Sequence, residues 1–511
     1  MSTVDILIFT EFTNSLIYSR MIGGYRIATE LRKHGYSVQT IDFLNDWTIE
    51  ELKTAIDKFV GDNTLFVGFS STLFAVKDEP IGSTNRPYNL RRDLRYTEDF
   101  PFTPETSKEV ISYIKSKNSN TKIVLGGGKS QYMSSKLVDT YIHGFADYTT
   151  VQYANLLAGK PADIELVKIN DRQNQVAWRE DSPFDFRQCQ TLWQESDIIL
   201  PGEVLPIEIS RGCIFKCDYC SFPMNGKKKF DYIRDPIPLR EEFIRNYELF
   251  GTTKYVFCDD TFNDSIYKVE TLYNEVFSKL PFKIEFVTYL RHDLIWDNRE
   301  MADLLKESGL RTGVFGIETL NHQSAKAVGK GMHPDKIIEL LHWLREDKWG
   351  DEVLTNSGFV IGLPHETEAT VNSWMSKVMD DKFPLHGFNV EPLGLNLSDK
   401  KLWKSAFETN AAAHGYKTDS LKFNNSFFRW SNWNSGSMNL TTAWSIADRY
   451  ATEAVFSGRN KISGFPFMIW QMGTGWDTNS LRGKPMKDVG GDFLIKAKTN
   501  LTTEYKNRML K

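Results

Sequence analysis

The chain has 511 residues, with 62 Lys plus Arg against 66 Asp plus Glu and a formal charge of −4. At about 150 residues per domain this length suggests two to four domains, and 41% apolar with 25% charged residues is ordinary for a globular chain. The charge balance excludes a global attraction to nucleic acid or anionic membrane, no apolar run approaches the ~18 residues of a membrane helix, and five cysteines cannot build a disulfide framework.

The start, Met1-Ser2-Thr3-Val4-Asp5, lacks the basic n-region of a secretion signal, so a cytoplasmic location is expected. Val4 to Phe9 reads as a buried strand, followed by a helix from Gly24 to His34 with Gly35 placed to cap it. Ser37 to Phe43 alternates like a strand, and Thr48-Ile49-Glu50-Glu51 is a capping box opening a helix to Val60. Thr64–Ser70 and Lys122–Gly126 are further short apolar strands, separated by an insertion from Lys77 to Pro104. Strands alternating with helices predict a doubly wound α/β domain over residues 1–159, and the polar stretch 160–200 reads as a linker.

A second series runs over 201–395. Its strands are Ile207–Ser210, Lys254–Cys258, Ile284–Tyr289, Gly313–Ile317, Gly358–Gly362 and Gly387–Pro392. Helices at Arg240–Phe250, Arg299–Ser308, Pro334–Leu344 and Glu366–Met379 lie between them. Six strand–helix units predict a partial (β/α)6 barrel, whose chemistry gathers at the C-terminal ends of the strands. Residues 396–511 break the rhythm, with Trp403, Trp430, Trp433, Trp444, Trp470 and Trp476 among polar turns and one amphipathic helix at Thr441–Phe456. This region reads as mainly helical or irregular and substrate-facing; its tryptophans suit a pocket wall or an aromatic core equally well.

The sharpest local signal is Cys213-x3-Cys217-x2-Cys220, directly after the strand at Ile207–Ser210. Three thiolates on one loop can hold three irons of a four-iron cluster and leave the fourth open. The competing readings are a chance grouping, or zinc with a distant fourth ligand, since Cys189 and Cys258 are remote in sequence.

On this spacing, with the aromatic Tyr219 before the last cysteine, the chain resembles the radical S-adenosylmethionine (SAM) superfamily. Ser210-Arg211-Gly212-Cys213 resembles its branch with an N-terminal cobalamin-binding-like domain. The likeness continues through Asp259-Asp260 after the second strand, Arg291 ending the third, and Gly316-Ile317-Glu318 on the fourth. It ends with Gly358 to Gly362-Leu363-Pro364 on the fifth. The resemblance implies that Cys213, Cys217 and Cys220 ligate a 4Fe–4S cluster. Tyr219, Asp259, Asp260, Arg291, Glu318, Gly358 and Gly362 would then form the SAM site. Carboxylates at 259 or 260 would accept from the SAM ammonium, Arg291 would pair with its carboxylate, and Gly358 and Gly362 would let backbone approach the adenine.

The first domain resembles a cobalamin-binding domain through Ser70-Ser71-Thr72 and Gly126-Gly127-Gly128, which implies cobalamin contacts at Ser70, Thr72, Gly126 and Gly127. It departs from the family because Thr10 to Gly23 contains no histidine. Cobalamin binding and a vestigial domain both stay open. Cys258, at the end of the second barrel strand, is a candidate hydrogen-atom donor or a structural thiol, and Cys189 reads as incidental. Lys227-Lys228-Lys229 suits a polyanion or a solvated loop.

The expected function is a radical SAM enzyme that cleaves SAM to a 5′-deoxyadenosyl radical and abstracts hydrogen from a substrate. A cobalamin-dependent methyltransferase is the alternative, and an iron–sulfur sensor without turnover is the alternative from another class. An external one-electron reductant, such as a flavodoxin or ferredoxin, is the implied partner.

Overall fold

The computed structural model describes residues 3–10, 19–70, 104–128, 130, 135–179, 181–222, 224–228, 230–397, 403–422, 431–461, 483–488 and 491–511. The Lys77–Pro104 insertion lies almost wholly outside these residues. Thr72, Lys229, Trp430, Trp470 and Trp476 lie outside them too.

The N-terminal strands are β1 (Ile6–Phe9), β2 (Val38–Ile41), β3 (Phe66–Ser70), β4 (Lys122–Gly127), β5 (Thr140–His143), β6 (Val167–Lys168) and β7 (Asn174–Ala177), in the order β2-β1-β3-β4-β5-β7-β6. All pairings are parallel except β6 with β7. Alternating side chains of each strand enter two different cores: Leu7, Phe9, Val67 and Leu125 on one face, Ile6, Ile8, Phe66 and Val124 on the other. Helices α1 (Ile22–Lys33), α2 (Ile49–Phe59), α3 (Pro104–Lys117) and α4 (Asp147–Leu157) connect this sheet. The expected capping box is present, with Thr48 Oγ1 accepting from Glu51 N at 3.2 Å.

The second sheet runs β13-β12-β11-β10-β9-β8 in unbroken sequence order, all parallel. Its strands are β8 (Leu205–Ile207), β9 (Lys254–Phe257), β10 (Glu285–Leu290), β11 (Leu310–Glu318), β12 (Leu354–Ile361) and β13 (Gly387–Pro392). Helices α5 (Pro236–Phe250), α6 (Ile266–Glu275), α7 (Met301–Glu307), α8 (Pro334–Trp343) and α9 (Glu368–Met379) lie between successive strands. This is the open six-stranded barrel that the periodicity implied.

Two expected boundaries are corrected by packing. The 160–200 stretch is not a linker: it supplies β6 and β7, and Trp193 is buried in the barrel core. The region after 395 is also not one unit. The hairpin β14 (Lys417–Lys422) with β15 (Ser431–Asn434) and helix α10 (Leu440–Phe456) close over the barrel, where Phe407, Trp433, Leu440 and Trp444 join its core. Helix α11 (Gly491–Leu510) returns instead to the first domain. Its Leu501, Tyr505 and Met509 are buried there, and Tyr505 accepts at its hydroxyl from Asp42 N at 3.0 Å. The apolar face of a terminal helix is buried wherever a matching sheet face is uncovered, which chain position alone does not reveal.

Candidate active site

Past β8 the chain makes the cysteine loop. Gly212 takes φ +123°, and a Cβ there would lie 2.7 Å from Met224 O, so only glycine allows the turn. The loop is stitched by Lys227 N to Cys213 O (3.0 Å), Gly226 N to Phe215 O (3.0 Å) and Cys220 N to Cys217 O (3.0 Å). Two sulfurs receive side-chain donors: Asn225 Nδ2 to Cys220 (3.2 Å) and Arg291 Nη1 to Cys217 (3.6 Å). Cys213 donates to Thr261 Oγ1 at 3.5 Å. Burial pushes up the thiols of Cys213 and Cys220, the latter to about 11, so metal uptake must release protons. Among the described residues, no three His, Cys, Asp or Glu side chains converge as a single ion requires. Three thiols on one loop, with nitrogen donors on two of them, fit a cluster that gives each sulfur its own iron.

The acidic turn divides its two carboxylates. Asp259 is fully engaged: it accepts from Ile209 N (3.0 Å), Ser210 N (3.1 Å), Ser210 Oγ (2.7 Å) and Lys268 Nζ (3.0 Å). Lys268 on α6 is buried and also reaches Thr261 O at 3.1 Å. Asp259, expected to meet the SAM ammonium, thus has both oxygens taken up within the protein. This carboxylate ties the base of the cysteine loop to the turn, and a buried lysine neutralises it. Among the described residues the Asp260 carboxylate has no hydrogen-bond or ion-pair partner, and its carbonyl accepts from Thr261 Oγ1 at 2.8 Å. Burial, with Asp259 and Glu208 nearby, raises its carboxyl to about 7. Asn263 fixes the same turn to the end of β10, donating to Arg291 O (2.9 Å) and accepting from Arg291 N (2.7 Å).

Arg291, expected to pair with the SAM carboxylate, also has partners within the protein. Its guanidinium pairs with Asp293, lies 3.7 Å from the Phe215 ring centroid and touches Cys217, so it serves the cysteine loop. Tyr219 and Glu318 are brought together, the tyrosine hydroxyl donating to Glu318 Oε1 at 2.7 Å. Glu318 takes φ +69° at a register break between β11 and β12. Lys330 approaches it at 3.6 Å and donates to Gly316 O at 2.8 Å.

The two expected adenine glycines differ. A Cβ on Gly358 would meet nothing within 4 Å, whereas one on Gly362 would lie 2.3 Å from the Trp433 ring. Gly362 has φ +96°, and its carbonyl accepts from Tyr416 at 2.9 Å. The close approach of Trp433 from the C-terminal hairpin and the positive φ both require glycine here, beside the expected adenine role. Glu366 is buried and anchors that turn. It accepts from Gly362 N (2.8 Å), Leu363 N (3.1 Å) and Thr319 Oγ1 (2.7 Å), and burial raises its carboxyl to about 7.

Five residues on or just past β9 to β13 are left partly accessible: Cys258, Tyr289, Glu318, Gly358 and Asn389. Tyr289 is 47% exposed and Cys258 is exposed as well, so both are accessible beside the ends of β9 and β10. Desolvation by surrounding protein keeps the Cys258 thiol protonated. In the first domain, Ser70 and Gly126 are paired at the carboxyl ends of β3 and β4, followed by Gly127 at φ +110°. Among the described residues, a Cβ on Gly126 would meet only Ile142 O, at 3.9 Å. The described residues contain no helix long and apolar enough to cross a membrane.

Lys268, Asn263, Glu366 and Lys330 were not found by sequence reasoning. The signal available was an Asp-Asp turn followed nine residues later by a lysine on an otherwise apolar helix face.

Residues 207–378 match the family model described as Radical SAM superfamily. This stretch is a radical SAM domain, which makes the chain an enzyme and implies a 4Fe–4S cluster and SAM; the first domain shares its fold with the solved structures below. Among individual proteins, it is 23% identical over 402 residues to an uncharacterized methyltransferase of Pyrococcus horikoshii, covering 73% of this chain and 77% of that one. It is similar in structure to the radical SAM methyltransferase TsrM from Kitasatospora setae, solved with cobalamin and a 4Fe–4S cluster bound. That likeness has a TM-score of 0.63 at 16% identity and covers 97% of this chain and 99% of that one. The cobalamin-dependent SAM radical enzyme OxsB, solved with aqua-cobalamin, gives a TM-score of 0.59 at 13% identity and covers 99% and 80%.

Proposed function

We propose that this chain is a cobalamin-dependent radical SAM methyltransferase, the alternative reading of the sequence. The observation that carries it is the first domain's clasp on the cysteine loop, Arg211 to Asp147, with Ser70, Gly126 and Gly127 at the carboxyl edge of the same sheet. A fold likeness along the whole chain to enzymes solved with cobalamin, and a relative named as a methyltransferase, support it.

Cys213, Cys217 and Cys220 hold the cluster, and Arg291 and Asn225 steady two of the sulfurs with N–H donors. Asp260 accepts from the SAM ammonium, Gly358 leaves a flat space for the adenine, and Tyr219 orients Glu318 beside them. When bound, the cluster supplies single electrons to SAM and cobalamin carries a methyl group. The chain supplies orientation, a barrel closed over by the C-terminal hairpin, and buried carboxylates held in place. An external one-electron donor completes the system, with a flavodoxin or ferredoxin as the expected kind.

The test is product analysis on anaerobically reconstituted protein given cobalamin, SAM and reductant. S-adenosylhomocysteine together with a methylated product supports the reading, and 5′-deoxyadenosine alone refutes it. Because Thr10 to Gly23 carries no histidine, bound cobalt should lack histidine nitrogen splitting in its paramagnetic spectrum. A second reading, hydrogen abstraction without methyl transfer, is favoured by Cys258: its protonated, accessible thiol could give a hydrogen atom to a substrate radical and become a thiyl. Persistence of full activity in Cys258→Ser would remove that role.

A further inference from the structure

Arg211 stands between Ser210, which Asp259 holds, and Gly212, which shapes the cysteine loop. Its backbone is fixed by Arg211 N donating to Tyr232 O at 2.9 Å. Its side chain leaves the barrel and enters the first domain. The guanidinium donates to both oxygens of Glu208 (2.9 and 2.8 Å) and to Asp147 Oδ2 (2.8 Å), with side-chain exposures of 9% for Arg211 and 5% for Asp147. Three aromatic rings surround it: Phe145 at 4.3 Å, Phe186 at 4.7 Å and Phe184 at 5.9 Å. Asp147 also receives Arg26 of α1 at 3.2 Å.

Asp147 is the first residue of α4, four residues beyond the end of β5. Beside it, the Phe145 ring packs with Trp178 (5.6 Å) and Trp403 (5.4 Å). Trp403 in turn lies 3.6 Å from where Gly128 would carry a Cβ, next to the carboxyl edge of β4. One guanidinium thus joins a residue two positions before the first cysteine to the helix that borders the N-terminal crevice. A lysine could not replace it, because an ammonium cannot hold two carboxylates through a planar fork while stacked on rings.

We propose that Arg211 is a positioning residue that lets the N-terminal domain, through Asp147, set the geometry of the cysteine loop and so of SAM on the cluster. The proposal rests on the reading that this loop holds a SAM-binding cluster. It requires a change in one domain to be felt at a site in the other that it does not touch.

The experiment uses the full chain, reconstituted anaerobically, as wild type, Asp147→Asn, Arg211→Lys and the double variant. Iron content, melting temperature, SAM affinity and the paramagnetic spectrum of the reduced cluster with and without SAM are measured. Asp147→Asn should keep the full iron content yet alter the SAM-dependent spectrum and weaken SAM binding by about fivefold or more, the lower end of measured coupling between sites. Arg211→Lys should do the same, and the double variant should be little worse than either, as expected for partners in one link. Wild-type spectra and SAM affinity in both single variants, with only the melting temperature lowered, would overturn the proposal and leave an ordinary interdomain ion pair. If the wild-type cluster itself ignores SAM, the underlying reading falls and the proposal falls with it.

Discussion

The two parallel sheets are built from the same strand–helix rhythm but offer ligands different places. In the first domain both faces of the sheet are packed, because successive side chains of β1, β3 and β4 enter two separate cores. A ligand can then sit only at the carboxyl edge, where Ser70, Gly126 and Gly127 lie. In the barrel sheet one side is packed in the core, and on the other Cys258, Tyr289, Gly358 and Asn389 stay accessible. The difference teaches that a doubly covered sheet confines chemistry to its rim, while a sheet packed on one side also offers its other face.

The largest expected effect separates the two places outright. Replacing Cys213, Cys217 and Cys220 with Ala should remove essentially all of about four irons per chain, while cobalamin binding at the other sheet persists. Loss of both together would break the comparison.

Next in size is Lys268→Met. It leaves Asp259 buried without its cation and should cost about 3–5 kcal/mol of stability. Asp260→Asn should barely change unfolding, yet weaken SAM binding by about 1.5–3 kcal/mol, the range for a hydrogen bond to a charged group. Calorimetric titration beside denaturant unfolding checks both, and equal effects of the two variants on SAM affinity would show that the carboxylates are not divided.

The glycines sharpen the comparison within the barrel. Gly362→Ala places a Cβ against Trp433 at positive φ and should cost about 1–3 kcal/mol in folding stability. Gly358→Ala should stay within about 0.5 kcal/mol of wild-type stability, while SAM binding weakens. Thermal melts paired with binding assays separate strain from an obstructed cofactor.

The smallest effect is on pH. The Asp260 carboxyl, raised to about 7, must lose its proton to meet an ammonium. SAM binding should weaken by about 1.4 kcal/mol for each pH unit below 7 and level off above it. The same raised value has the opposite sign for folding. Between about 4 and 7 the native state holds a proton that the unfolded chain has lost, so this group's stabilisation fades as pH rises. Asn at 260 should flatten both trends. A SAM affinity that is flat with pH in the wild type would move the ammonium contact elsewhere.

The sequence by itself determined the two sheets, the capping box at Thr48, the glycine-shaped cysteine loop and the likeness to radical SAM enzymes. These are written in short-range spacing: period two along strands, caps three residues apart, and cysteines three and four apart. Tertiary structure decided what each candidate does. Asp259 and Asp260 are neighbours in sequence, but a lysine nine residues on claims one of them. Gly358 and Gly362 look alike in sequence, but Trp433 from a hairpin some seventy residues later fills the space at only one. Arg291 ends a strand where a cofactor contact is expected, and the following turn places Asp293 against it. Helix α11 joins the first domain because that sheet face lacks a cover, and Arg211 finds Asp147 only after two domains meet. A side chain's role is set by the groups that satisfy its charge and hydrogen bonds once buried, and those groups come from anywhere in the chain.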